Sequence, residues 1–247
     1  MTTRAEFMGR IRAEMAKTRG LFPATPTRRP ESPRAEAEAI RRQLAERWPV
    51  ALERFRREFE QVGGVFYRVP TLAEVPEVVA AIARDRSARR LVSWHPETLG
   101  GDLGPALTAR GLSPVSMPPG EIANEAERGR LRQLIAAAEL GLTGVDLAIA
   151  ETGTLVLRSG AGRPPSTSLL PPYHVAVFDR VALVESLAQV GVFLELWHAD
   201  GEAGARGASI SFITGPSRTA DIELTLTRGV HGPKEVHAIF VEHAIGG

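Results

Sequence analysis

The 247-residue sequence contains no cysteine. That excludes a disulfide framework, a thiolate nucleophile and a cysteine-ligated iron–sulfur cluster within this chain. No apolar run approaches the ~20 residues of a membrane span, and the first residues lack the apolar centre of a signal peptide. The expectation is a cytoplasmic protein without a membrane segment. Lysine is nearly missing: Lys17 and Lys234 stand alone, and arginine supplies the other positive charges. The formal net charge is +1, so there is no electrostatic case for nucleic acid. The chain also lacks an HExxH metal spacing, a Gly-x-Ser-x-Gly elbow, a Walker loop and a GxGxxG fingerprint. No metal site is expected, and the cofactor, if any, is unknown.

What is present is an ordinary apolar share, 43%, enough for a full core. Charge is uneven. Residues 1–60 hold 14 Lys/Arg against 9 Asp/Glu, a net of +5, and the remainder holds 16 against 20, a net of −4. Residues 2–19 read as an amphipathic helix, with Phe7, Ile11 and Met15 spaced by four. Pro23, Pro26, Pro30 and Pro33 then mark an extended linker. The expected organisation is a helical arm and linker over 1–33 and an α/β domain over 34–247. Such an arm suits gripping a partner or a second copy of the chain.

Helical pattern runs from Arg34 to Trp48. Pro49 is expected to end that helix and open another, whose stripe is Leu52, Phe55, Phe59 and Val62, with Gly63-Gly64 as its stop. From there strands and helices alternate. Strands are expected at Val65–Val69, Arg90–Trp94, Ser113–Met117, His174–Phe178, Ala208–Thr214 and Val236–His243. Helices are expected from the box-like Thr71-Leu72-Ala73-Glu74 to Arg86, at Leu103–Arg110, at Glu121–Leu140 with Gly141 as stop, at Arg180–Val190 and at Thr219–Arg228. Val145–Ala150 and Thr154–Arg158 flank Glu151-Thr152-Gly153 as a tight hairpin. The pattern predicts a three-layer α/β sandwich with a mostly parallel sheet and one antiparallel hairpin inside it.

Chemistry-bearing residues concentrate in the loops. In Thr214–Thr219, a glycine at a strand end precedes hydroxyls at a predicted helix start, the way backbone amides cradle an anion. Pro216 removes a donor, and Asp221 and Glu223 would repel a phosphate, so a capped helix is the competing reading. His231, between Gly229-Val230 and Gly232-Pro233, suits an acid/base role or a plain surface one. Glu151 sits in a turn either as a functional carboxylate or as a hairpin residue. Arg158 and Arg163 carry guanidiniums able to hold a carboxylate or phosphate. His237 and His243 alternate with apolar residues and read as structural.

Gly144-Val145-Asp146, Ala150-Glu151-Thr152-Gly153-Thr154, Ser168-Leu169-Leu170-Pro171, Thr214–Glu223 and Gly229–Pro233 together resemble the LutC/YkgG family of LUD-domain (lactate-utilisation) proteins. The resemblance runs from about Arg34 to Val241. It implies a fold like the NagB/RpiA/CoA-transferase superfamily, related to formyltetrahydrofolate cyclo-ligases. It implies a role in oxidising L-lactate to pyruvate beside iron–sulfur partner proteins, this chain resembling the short subunit without a cluster. The alternative is a stand-alone enzyme, or a protein binding a small anionic metabolite, of that superfamily. The candidate catalytic set is Glu151, Asp221, Glu223 and His231. The candidate ligand set is Thr152, Gly153, Arg163, Gly215, Ser217, Thr219 and Gly232. The Glu151 turn, the Ser217–Glu223 segment and the His231 loop are expected to meet at one end of the sheet.

Overall fold

The structure, a computed structural model, describes residues 3–17, 30–120, 122, 124–199, 209–220 and 226–245. It divides into two compact units, Met1–Glu31 and Ser32–Gly247. The first contains helix α1 (Arg4–Lys17), on which Phe7 and Ile11 are exposed.

The second unit begins with α2 (Pro33–Gln61), a continuous helix of 29 residues. Ser32 caps it by accepting the Ala35 amide at 3.4 Å, Pro33 starts it, and Gly63, at φ 88°, lies just beyond its end. Pro49 was expected to break this helix and does not. Proline there removes one backbone donor and crowds the carbonyl four residues back, a cost of ~3 kcal/mol. Both Pro49 and Ala45 are exposed, so water reaches the released carbonyl. Along the core-facing stripe Leu44, Leu52, Phe55 and Phe59 are buried, each contributing about 1.5–3 kcal/mol. Burial outweighs the proline.

The main sheet contains β1 (Val65–Val69), β2 (Arg90–Ser93), β3 (Ser113–Ser116), β4 (Leu140–Gly144), β7 (Tyr173–Asp179) and β12 (Glu235–Val241) in the order β1-β12-β7-β4-β2-β3. Every neighbouring pair is parallel. Between β1 and β4 come α3 (Val75–Asp85), α4 (Pro96–Leu99), α5 (Gly104–Thr108) and α6 (Glu125–Ala137). Thr71 bonds the Glu74 carboxylate at 3.1 Å, side chain to side chain, beneath a 3-10 turn that leads into α3. Helices cover both faces. In β2, Leu91 belongs to the large core while Val92 packs with Ile135 of α6 and Met117. On the α2 face, Phe55 meets Phe178 edge-on at 5.2 Å, Phe178 meets Phe240, and Trp48 stacks on Phe240. The α/β class is as expected.

Four further expectations need correction. Residues 138–140 do not prolong a helix, because Leu140–Gly144 is a central strand. A Cβ on Gly141 would lie 1.8 Å from the Thr167 carbonyl oxygen of α7 (Ser166–Leu169), so this glycine permits a close crossing and stops nothing. The hairpin of β5 (Leu147–Ile149) and β6 (Thr154–Arg158) is not inside the main sheet. It forms a second sheet, ordered β8-β5-β6-β9, with β8 (Leu183–Val184) and β9 (Ile210–Ile213). Arg180–Val190 is not one helix but a 3-10 turn, then β8, then α8 (Leu187–Ala199). Finally, the described residues of Thr219–Arg228 lie in two antiparallel strands, β10 (Arg218–Ala220) and β11 (Leu226–Arg228), where a helix was expected. Within β11, β-branched Thr227 favours an extended backbone. No helix among the described residues is long and apolar enough to cross a membrane.

Two histidines lie buried in adjacent strands. His174 bonds the Thr143 hydroxyl at 2.9 Å, and burial, with a lesser contribution from His237, pushes its pKa down to about 3. His237 lies between the Tyr67 hydroxyl and Glu235. Burial, then the nearby Arg86, lowers its pKa to about 4 against the pull of Glu235. An unfolded histidine titrates near 6.5. From there down to about pH 3–4 the unfolded chain binds protons that the fold refuses, so stability falls as pH falls. Each histidine contributes a slope of at most ~1.4 kcal/mol per pH unit. Urea denaturation between pH 7 and pH 4 should show that loss, with a shallower slope in His174→Asn.

Candidate functional site

The parallel sheet has two chemically different ends. From β2 the chain crosses outward to β3, and from β4 it crosses the other way to β7. The carboxyl ends of β2 and β4 therefore flank the point where winding reverses, where such sheets open a crevice.

Asp146 lies two residues beyond β4. Its amide donates to the Val156 carbonyl at 2.9 Å, tying it to β6. One carboxylate oxygen accepts the Arg158 amide at 2.7 Å. The other accepts Arg158 Nε at 2.8 Å and Arg163 Nη1 at 3.1 Å. The Asp146 side chain is 7% exposed, so a buried carboxylate organises two guanidiniums. Arg158 also lies 4.2 Å over the Trp197 ring of α8, and Arg163 lies 5.6 Å over the Trp94 ring. Arg163 Nε and Trp94 Nε1 are buried without an acceptor.

Two glycines shape this corner. A Cβ on Gly144 would press on the Thr98 carbonyl oxygen at 3.1 Å. Gly162, at φ 70°, lies where a Cβ would collide with His95 Cβ at 2.6 Å, while its carbonyl accepts the His95 amide at 2.9 Å. The loop carrying Arg163 is thereby clamped to the end of β2. The result is a cleft of about 310 Å³ lined by Arg41, Gly144, Asp146, Arg158, Asp179 and Trp197, among others. Asp179 accepts the amides of Val181 at 2.8 Å and Ile245 at 2.6 Å, so its charge is already engaged. Asp146 is engaged likewise. What the cleft offers is guanidinium, beside aromatic surface that shields it from water. That suits a small carboxylate.

Of the residues singled out from the sequence, Arg158 and Arg163 belong to this corner. The Gly215, Ser217 and Gly232 group lies at the opposite end. Gly215, at φ 79°, approaches the Val62 carbonyl that follows α2, and Gly153, at φ 61°, approaches the Phe59 amide, in both cases at 2.5 Å or less from a notional Cβ. Ser217 donates its amide to the Pro233 carbonyl and accepts the Gly229 amide, and a Cβ on Gly232 would lie 3.3 Å from Ser217 Cβ. Lys234 donates to the Pro172 carbonyl, which places this loop before the starts of β7 and β12. The backbone thus packs closely at the end of α2 at Gly153 and Gly215, while Glu151 and His231 have separate surroundings. Glu151 accepts the Leu187 amide at 2.8 Å, capping α8. Thr152 donates to the Thr154 hydroxyl, which bonds Thr214 in turn. His231 is exposed, and Thr219 lies in β10. Asp221 and Glu223 lie outside the described residues. Among the described residues there is no His/Asp/Glu cluster able to hold a metal. Sequence reasoning missed Arg41 and Trp197, which share no local spacing with Arg158.

The chain matches the family model described as LUD domain over residues 52–241. It is 35% identical to lactate utilization protein C of Halalkalibacterium halodurans over 67% of this chain and 68% of that one. Proteins of the same name from Exiguobacterium and Shouchella clausii are 39% and 38% identical. Those matches cover 44% and 42% of this chain and span under half the length of the relatives, 47% and 44%. A solved structure of a DUF162-family protein from Deinococcus radiodurans is similar in fold. Its TM-score is 0.52 at 20% identity, with 78% of this chain and 97% of that one covered.

Replacing Asp146 by Asn leaves two guanidiniums without their shared charge. The expected loss is on the order of 3 kcal/mol in urea denaturation. His231→Ala, at an exposed site, should shift stability by less than about 0.5 kcal/mol.

Proposed function

Because the chain belongs to the LUD-domain family, we propose that it serves lactate utilisation by binding a small 2-hydroxy or 2-oxo carboxylate in the cleft beside Asp146. The observation that carries the reading is the Asp146-held pair of guanidiniums at the switch point of the sheet. Support comes also from relatives named lactate utilization protein C.

Each residue has a physical task. Asp146 spends its oxygens on Arg158 and Arg163 and fixes their planes. Arg158 gives Nε to Asp146, which leaves its two terminal nitrogens for a substrate carboxylate. Trp197 covers one face of that guanidinium and lowers the local dielectric, which strengthens the charge-assisted bond. Conversion of lactate to pyruvate releases two electrons and two protons. A chain without cysteine has no thiolate-ligated cluster to receive the electrons. In this reading they pass to separate iron–sulfur proteins of the same system, and this subunit contributes the binding and orientation of the acid.

Isothermal titration calorimetry with lactate and with pyruvate tests the reading. Arg158→Met keeps the stem over Trp197 and loses the charge. Its expected affinity is about 10- to 100-fold weaker, the worth of one charged hydrogen-bonded pair. Equal binding by wild type and variant rejects the assignment.

A further inference from the structure

A second cavity adjoins the cleft, with a volume of about 270 Å³. Leu44, Ala45 and Trp48 of α2 form one side, and Leu183 of β8 lies on the other, with Arg180 also in its wall. Arg41 and Val181 line both cavities. One lobe is therefore charged, the other is mostly apolar, and a guanidinium stands at the seam between them.

Arg41 is suited to that position. Its guanidinium lies 5.5 Å over the Phe193 ring of α8, which steadies it without using its hydrogen-bond donors. Among the described residues no carboxylate pairs with it. Arg158, across the polar lobe, has given one nitrogen to Asp146. The apolar lobe is firmly built, since Leu44 and Leu183 are buried and Trp48 is stacked on Phe240 at 5.6 Å. Arg41 and the α2 residues of this lobe also precede the stretch 52–241 that defines the family match. One side of the lobe is thus supplied by a part of the chain outside the matched domain.

We propose that the paired cavities take a 2-hydroxy or 2-oxo carboxylate whose apolar side chain is larger than the methyl of lactate. The carboxylate lies between Arg41 and Arg158, and the side chain enters the apolar lobe against Trp48 and Leu44. This rests on the carboxylate reading above and specifies the substrate class of the same site. The charge pattern selects the orientation. Lactate places a carboxylate at the seam and has only one methyl to offer the lobe. A longer or aromatic side chain covers the tryptophan and leucine surfaces, and each buried methylene tightens binding about four-fold.

The test is a calorimetric series on the full chain with lactate, 2-hydroxybutyrate, 2-hydroxyhexanoate and 3-phenyllactate. Wild type should bind about four-fold more tightly per added methylene. Ala45→Trp, at an exposed position on α2, fills the lobe and should flatten the series. Arg41→Met should weaken every member about ten-fold. Lactate binding with a flat wild-type series overturns the two-lobe inference and leaves the carboxylate reading standing. Absence of binding by every acid overturns both. A rising series that survives unchanged in Ala45→Trp overturns the placement of the side chain.

Discussion

The fold depends on the uninterrupted run of α2 through Pro49. Its first half buries Ala37 with Leu147, Ile149, Val156 and Phe193, the core under the second sheet. Its second half buries Leu52, Phe55 and Phe59 in the core of the main sheet. A kink at the proline would separate the two cores, withdraw Arg41 from the cleft and withdraw Trp48 from the cavity beside it. The helix survives because its proline faces water while its apolar stripe does not, and because the aromatic contacts of Phe55, Phe178, Phe240 and Trp48 hold the stripe down along its length.

Around that beam the sheet divides its labour between its ends. The turns that follow β5 and β9 carry glycines because backbone must pass close to backbone at the end of α2, which leaves no room for side chains at Gly153 or Gly215. The carboxyl end has glycines for another reason: Gly144 and Gly162 let a loop bearing Arg163 close over β2. Similar composition thus reflects packing at one end and the shaping of a binding corner at the other.

Much of the architecture was legible in the sequence. β7 and β12 announce themselves as apolar runs, and the β5–β6 hairpin by its Glu-Thr-Gly turn. β4 was hidden. Leu140-Gly141-Leu142-Thr143-Gly144 follows a helical pattern and contains glycines, and the reason Gly141 is tolerated in a strand is the Thr167 carbonyl 26 positions away. The β10–β11 hairpin was masked by acids that read as a helix start. At the site, Arg158 and Arg163 were recognisable by residue type alone, because only guanidinium offers a fork that matches a carboxylate. Their organiser Asp146 appeared only as part of a family block. Arg41 and Trp197 were out of reach, since 117 positions separate Arg41 from Arg158 and only the packing of α2 on α8 brings them together.

Arg158 ends a strand of the second sheet, while Asp146 leaves a strand of the first. The bonds between them join the two sheets at the mouth of the cleft. An acid that settles on Arg158 and Arg41 therefore does more than occupy space. It ties β6 to α2 across the gap, so that site occupancy becomes stiffness at the junction of two layers. Ligand binding restricted to the folded state raises its stability by mass action, and here that gain would be concentrated at a seam. A partner resting against that seam would meet a firmer surface when the substrate is present than when it is absent.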